Sequence, residues 1–322
     1  MKQFVLFSIF LILFTTCQKE NFNIPDTGRK IVINGLITTD NFLNTRISKS
    51  AYITDKSRPS YESLLSVNDA EVFSFRNSIC IDSLYYNSLW KGYYDFMYKL
   101  SNYWSRSVFP LPGEEYEIVV KVPGLPDATA VTKIPELIRI ENVDTSHIHI
   151  REDIWAPSNV RIICNIEFTD PGSEKNYYLF TILKRNPYYD FSFFGTIAFD
   201  SKDPVVEEKL TGSVYPLEGI VFSDKLINGQ KYSLTVTVDG NTIGRPFYDD
   251  TPEDADDHKK TIIFRLFSVT EEYYRYIKAR NLCKENYGNP LAEPVLMPSN
   301  ITGGYGIFSG AAVSSDSIVF QY

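Results

Sequence analysis

Cys17 is the residue whose setting points most directly to a chemical reaction. It follows Phe4 to Phe14 (FVLFSIFLILF), an apolar run broken only by Ser8 and preceded by the positive charge of Lys2. Eleven residues are too few to span a bilayer as a helix, and they suit the hydrophobic segment of a secretory signal. Thr15 and Thr16 then place small side chains ahead of the thiol, and Gln18-Lys19-Glu20-Asn21 turns polar. Cleavage before Cys17, with acylation of its sulfur, would anchor the chain to a membrane rather than thread it through one. Each buried CH₂ of an acyl chain contributes about 0.8 kcal/mol, and stable attachment takes more than one chain. An ordinary secretory signal beside an incidental cysteine is the competing reading.

Other candidates for chemistry are weaker. His147 and His149 lie two apart in a strand-like run and share a face. With Glu152 or Asp153 they could hold a metal, but a plain polar strand face explains them too. The third histidine, His258, is distant in sequence. Asp249, Asp250, Glu253, Asp254, Asp256 and Asp257 crowd one segment that could bind Ca²⁺ weakly, yet the spacing and central glycine of an EF-hand are missing. A solvated acidic loop is the plainer reading. Gly303 to Gly310 contains Gly304-x-Gly306, but the next segment reads as a strand, so a turn or bulge is expected rather than a phosphate cradle. There is no Gly-x-Ser-x-Gly elbow, three histidines leave few bases, and no carboxylate pair stands out for glycoside cleavage. We therefore expect no catalytic residue, no metal site and no cofactor. Besides Cys17 there are Cys80, Cys164 and Cys283, an odd and widely spaced set that supports neither a disulfide scaffold nor a zinc site. Buried free thiols are expected, with one long-range disulfide plus a free thiol as the alternative.

Aromatic residues form two dense clusters. Residues 85–104 include Trp90, Tyr93, Tyr94 and Trp104, and residues 188–194 begin with Tyr188 and Tyr189. Such side chains fill a sandwich core, anchor a protein interface or make a platform for a sugar. Adjacent pairs such as Tyr93 and Tyr94 point to opposite strand faces, so packing in one core does not use both. Core packing is the plainer reading of these clusters, and Trp90, Tyr93, Tyr94, Trp104, Tyr188 and Tyr189 are the candidate interface residues beside it, with a small-ligand platform third.

The elements that must position these groups are mostly strands. Tyr232, Leu234, Val236 and Val238 alternate with polar residues, as do Tyr116, Ile118, Val120 and Val122, the spacing of a half-buried strand. Further strands are expected at 30–38, 44–53, 68–76, 91–100, 128–134, 137–150, 159–168, 176–185, 261–269 and 312–320. Asn228-Gly229 predicts a tight hairpin, since both residues tolerate positive φ. One helix is expected near 270–287, with Thr270 as N-cap, Glu271 and Glu272 in its first turn, and Gly288 and Pro290 beyond it. The expected order is a signal (1–16), a lipidated tether (17–28), an Ig-like or regulatory-like β-sandwich (29–135) and a β-rich domain carrying the helix (136–322).

The chain has 322 residues and a formal charge of −8. Removing 1–16 removes only Lys2, which leaves 306 residues at −9. No later stretch approaches 18 consecutive apolar residues. An acidic chain lacks the electrostatic footprint for nucleic acid and is poorly matched to an anionic lipid surface.

Several segments together resemble the domain-of-unknown-function 4249 family of Bacteroidota lipoproteins. They are Ile31-Val32-Ile33-Asn34-Gly35-Leu36-Ile37-Thr38, Thr45-Arg46-Ile47-Ser48-Lys49-Ser50, Val67 to Val72 and Pro112-Gly113-Glu114-Glu115-Tyr116. The most specific are the Tyr-rich helix, Asn289-Pro290-Leu291-Ala292-Glu293-Pro294 and Gly304-Tyr305-Gly306-Ile307-Phe308-Ser309-Gly310. Pro123-Gly124-Leu125-Pro126-Asp127 departs from the simpler hairpin usual there, and Thr16 and Phe14 depart from the usual lipobox. The resemblance implies an outer-membrane, lipid-anchored protein at the cell surface, with the periplasmic face as the alternative. Lys19 and Glu20 loosely resemble the charged tag that exports such lipoproteins. It further implies a non-enzymatic accessory of a TonB-dependent outer-membrane receptor in nutrient uptake, and supplies no catalytic residue. A structural or adhesive surface protein is the alternative, and a surface hydrolase is the less favoured third.

Overall fold

The computed structural model describes residues 28–51, 65–87, 101–150, 159–185, 194–206, 219–240, 259–289 and 291–321. The earlier strands are β1 (Ile31–Thr38), β2 (Asn44–Lys49), β3 (Glu71–Arg76), β4 (Ile79–Tyr86), β5 (Tyr103–Trp104), β6 (Glu115–Lys121), β7 (Ala128–Lys133) and β8 (Ile140–Ile150). The later ones are β9 (Asn159–Thr169), β10 (Tyr177–Arg185), β11 (Phe194–Thr196), β12 (Phe199–Asp200), β13 (Ile220–Ser223), β14 (Lys231–Asp239), β15 (Lys259–Val269) and β16 (Tyr305–Gln321). Helix α1 (Glu271–Glu285) lies between the last two. The chain is mostly β, in two sheets with a C-terminal helix.

One sheet runs β11-β10-β15-β16-β1-β2-β5-β4-β3-β6-β7, with β13 also paired to β10, and the other runs β12-β14-β9-β8. Strand β16 joins two cores. Its first part pairs with β1 in parallel, from Val32↔Tyr305 to Thr38↔Ala311. Its second part pairs with β15, from Val269↔Ala311 to Lys259↔Gln321. Position along the strand decides which core each half serves, since Phe308, Ala312 and Phe320 share one face. Phe308 and Ala312 join Ile31, Ile33, Tyr116, Ile118, Val120 and Ala130 in the first core. Phe320 joins Ile162, Phe168, Tyr178, Phe264, Leu234 and Val236 in the second. The expected boundary near Pro135 falls between β7 and β8, but the segment 29–135 is not a self-contained sandwich. Phe308 and Ala312, with Ile301 packed against the same cluster, complete its core from the far end of the sequence.

Helix α1 covers the outer face of the larger sheet. Ile277 packs with Tyr177, Leu179, Val221, Phe267, Val269 and Ala311. These sheet residues alternate with those of the second core, so β10 and β15 are buried on both faces. Thr270 caps the helix as expected, its hydroxyl accepting from Tyr273 N at 3.3 Å and lying 2.6 Å from the Ser309 hydroxyl.

Turn chemistry differs from expectation in one place. Asn228-Gly229 does form a turn, with Gly229 at φ +71°, but it is not a hairpin turn. A short 3₁₀ turn (Asp224–Leu226) precedes it, and the flanking strands lie in different sheets: β13 pairs with β10, and β14 with β9. The tight hairpin is instead β3–β4, where Asn77 and Ser78 both adopt positive φ, at 49° and 64°.

Candidate functional site

Cys17, Lys19, Glu20, Trp90, Tyr93, Tyr94, Tyr188 and Tyr189 lie outside the described residues, as do the acidic segment 249–257 and His258. Trp104 is described, and it corrects an expectation. It sits in β5 between Asn44 of β2 and Tyr85 of β4, is 4% exposed, and donates its indole N–H to the Ser101 carbonyl at 3.3 Å. A ring this buried is core packing and offers no face to a partner. Its neighbour Asn102 explains the fixed position. The Asn102 amide accepts from Ile47 N at 2.8 Å and donates to the Ile47 and Val67 carbonyls at 2.9 and 3.2 Å.

The thiols also divide unevenly. Cys164 is buried in the second core, and burial pushes its thiol up to about 12. Cys80, expected to be buried, is exposed on β4, and half-buried Cys283 lies 3.7 Å from the Met297 sulfur. Iodoacetamide at pH 8 should label Cys80 in the native protein and Cys164 only after denaturation. Tryptic mass spectrometry reads this directly, and native labelling of Cys164 would contradict its burial. Gly303 lies in a bend ahead of β16 at φ +77°, and Gly306, at φ +108°, lies within β16 in an unbroken register with β1 rather than in a bulge. Among the described residues no group of three or more His, Cys, Asp or Glu is placed to hold a metal.

Among the described residues, a groove and an exposed apolar segment could each bind something. The first is a groove on the outer face of the smaller sheet. In β9 and β14 the inward residues Ile162, Cys164, Ile166, Leu234, Val236 and Val238 enter the second core. Alternation then turns Arg161, Ile163, Thr235 and Thr237 outward. Strand β12 adds Phe199 to the core and Asp200 to the outside. Beyond Asp200 the chain leaves the β-ladder but stays against the edge of β14. The Ser201 hydroxyl donates to the Thr235 carbonyl at 2.7 Å, and the Asp203 carboxylate accepts from Thr235 N at 2.9 Å. Two side chains thus replace the missing ladder bonds and hold residues 200–204 as a wall. The groove between wall and sheet has a volume of about 400 Å³ and is lined by Arg161, Ile163, Asp200, Lys202, Asp203, Pro204, Thr235 and Thr237.

Charges in the groove are of two kinds. Asp203 is buried and structural, since its oxygens also accept from the Tyr232 hydroxyl and from Val205 N at 3.1 Å. Burial, reinforced by that carboxylate acceptor, pushes the Tyr232 phenol well above its ordinary value. Arg161, Asp200 and Lys202 are exposed, and no ion pair or hydrogen bond engages their side chains among the described residues, with Asp239 directly opposite Arg161 in the β14–β9 pair. Some cations elsewhere are engaged: Lys231 lies 3.3 Å from Glu141 and 3.0 Å from Glu167, Arg275 pairs with Glu271, and Arg265 pairs with Asp40. The hydrogen bond from Thr169, followed by that from Lys231, holds the Glu141 carboxyl below its usual value.

The second feature is the segment after α1. Tyr287, Leu291 and Leu296 are 92%, 90% and 91% exposed, and Leu282 on the last turn of the helix is exposed as well. The segment is internally tied: Asn289 N donates to the Asn286 carbonyl at 3.0 Å, and the Asn289 side chain accepts from Leu291 N at 3.0 Å. The sequence marks Gly288 and Pro290 as a helix stop and Asn289 to Pro294 as a family-like segment, but exposure of an apolar side chain is not written in its spacing.

These features define a mostly β, two-sheet protein with a capped C-terminal helix. A family model described as "Domain of unknown function (DUF4249)" matches residues 19–317, and the chain belongs to that family. No curated protein and no solved structure matches it.

Proposed function

We propose that the chain is an outer-membrane lipoprotein, held by lipid on Cys17 and facing the cell surface, that serves without catalysis as a binding accessory of a TonB-dependent receptor. The observation that carries the partner is the exposed loop with Tyr287, Leu291 and Leu296. Burying a side chain of this size is worth about 1.5–3 kcal/mol, so three left in water form a surface suited to a complementary protein groove. The loop's own hydrogen bonds limit the entropy lost on docking. A lipid occupant fits less well, because Glu285 and Glu293 flank the apolar residues and the whole chain is acidic at −8. The signal-like segment ahead of Cys17 supports the anchor, and a tether of residues 18–28 would keep the loop close to a membrane-embedded partner.

A photo-crosslinking residue at position 291 of the native lipidated chain tests this reading. The expected product is a covalent adduct with a TonB-dependent receptor, identified by mass spectrometry. The paired variant Leu291→Asp and Leu296→Asp should lower recovery of that receptor at least about tenfold, equivalent to 1.4 kcal/mol. Its Tm should move by less than about 2 °C, since both side chains are exposed in the free protein. Adducts confined to lipid, or equal recovery by both proteins, would overturn the assignment.

A further inference from the structure

Two sulfur atoms meet where helix α1 ends. Cys283 stands in the last turn of the helix, and Met297 in the segment that leads on to β16. They are 14 positions apart in sequence, yet Cys283 Sγ lies 3.7 Å from Met297 Sδ, with the thiol donating. Both residues are half-buried, so a small ion can reach the pair from solvent.

The fold holds both partners in place. Ile277, on the same helix as Cys283, packs against the sheet with Tyr177, Leu179 and Phe267. Asn300, three residues after Met297, donates its amide to the Phe308 carbonyl at 2.7 Å and accepts from Phe308 N at 2.9 Å. Each sulfur is therefore tied to the larger sheet independently of the exposed loop between them. Binding an ion costs little further ordering.

Thiolate and thioether are soft donors, and together they select Cu(I) over harder divalent ions. A metal–thiolate bond is about 2.3 Å. With both sulfurs at that length, a separation of 3.7 Å gives a sulfur–metal–sulfur angle of about 107°. That is close to tetrahedral, so one ion fits between the two sulfurs without moving either. The last turn of a helix also carries partial negative charge on its free carbonyls, which favours a cation beside Cys283. Harder ions lack a ligand set here, since among the described residues no group of three or more His, Cys, Asp or Glu converges.

We infer that Cys283 and Met297 form a binding site for Cu(I), a departure from the expectation of no metal site. The Cys283 thiolate is the anionic ligand, the Met297 thioether the neutral one, and solvent fills the remaining coordination. The ion takes the place of the thiol proton, which leaves to solvent, and no electron is transferred. Once bound, it links the two ends of the segment that carries Tyr287, Leu291 and Leu296.

Anaerobic titration of the full-length chain in detergent with Cu(I), in competition with the chromophoric chelator bicinchoninate, tests the site. The wild type should withdraw Cu(I) from the chelator, and Cys283→Ser should lose that uptake. Met297→Leu should bind at least about tenfold more weakly, equivalent to 1.4 kcal/mol. Leucine keeps the volume of methionine, and circular dichroism will show that both variants fold. Cys80→Ser should match the wild type, because Cys80 is exposed on β4, away from the helix, and Cys164 is buried. No uptake by the wild type, uptake that survives in Cys283→Ser, unchanged affinity in Met297→Leu, loss in Cys80→Ser, or Zn²⁺ held as tightly as Cu(I) would each overturn the inference. The titration needs no receptor, so its failure leaves the docking loop untouched, and failure of the docking loop leaves the site untouched.

Discussion

Gly306→Ala is expected to destabilise the chain by about 4 kcal/mol or more, a large share of a typical folding free energy. Gly306 sits at φ +108°, and a Cβ built there would lie 2.0 Å from the Ile33 carbonyl oxygen. That oxygen belongs to the facing residue of the parallel β1–β16 pair, so the clash is with backbone that cannot move without opening the ladder. The pair is what joins the start of the fold to its end, and Phe308, two residues on, fills the first core. Urea unfolding followed by circular dichroism measures the effect. Gly124→Ala is the control, because its φ of +76° is also positive while nothing lies within 4 Å of the new Cβ. It should cost only about 1–2 kcal/mol. Equal losses in the two variants would show that the close approach to Ile33 carries no weight.

Asp170→Ala should have the second largest effect, about 3 kcal/mol or more. Asp170 is 1% exposed, accepts from the Tyr178 hydroxyl and accepts from Gly229 N at 2.9 Å. It thereby ties the end of β9 to a fully buried ring of β10 and to the turn before β14. Alanine leaves a buried hydroxyl and a backbone N–H without this acceptor. Asparagine can serve both neighbours, since the tyrosine hydroxyl can accept as well as donate, so Asp170→Asn should be mild. The pair also separates the charge from the shape. Burial is the main reason the Asp170 carboxyl titrates above its ordinary value, with the nearby Asp224 charge adding to it. A raised folded value favours the protonated form, so its contribution to stability is full below the unfolded value of about 3.9 and is lost as pH rises through the folded value. The stability of the wild type relative to Asp170→Asn should therefore fall as pH increases above about 4. A difference independent of pH would contradict the buried-carboxyl reading.

Alternation made the local elements legible. Tyr232, Leu234, Val236 and Val238 announced β14, and Thr270, Glu271 and Glu272 announced the helix start. Strand β4 was hidden because Ile79-Cys80-Ile81-Asp82-Ser83 keeps no clean period and most of its residues are exposed or half-buried. Strand β5 has two residues, too few for any period. Pairing over long separations was not legible either. The first core looked complete at residue 135 because nothing local in Phe308 or Ala312 says that they return to β1. The groove was missed for the same reason: Asp200 and Arg161 come to one sheet face only through the β12–β14–β9 register. Trp104 belonged to an aromatic cluster whose composition fitted core and interface alike, and only its place between β2 and β4 decides for the core.

The proposed role depends first on Cys17. The intact mass of the chain extracted from outer membranes of its native cell tests this most directly. Loss of residues 1–16 and a mature N-terminus at Cys17 carrying the added mass of acyl chains are the predicted result. A chain that keeps residues 1–16, or one that begins at an unmodified residue and partitions with the soluble fraction, would contradict it.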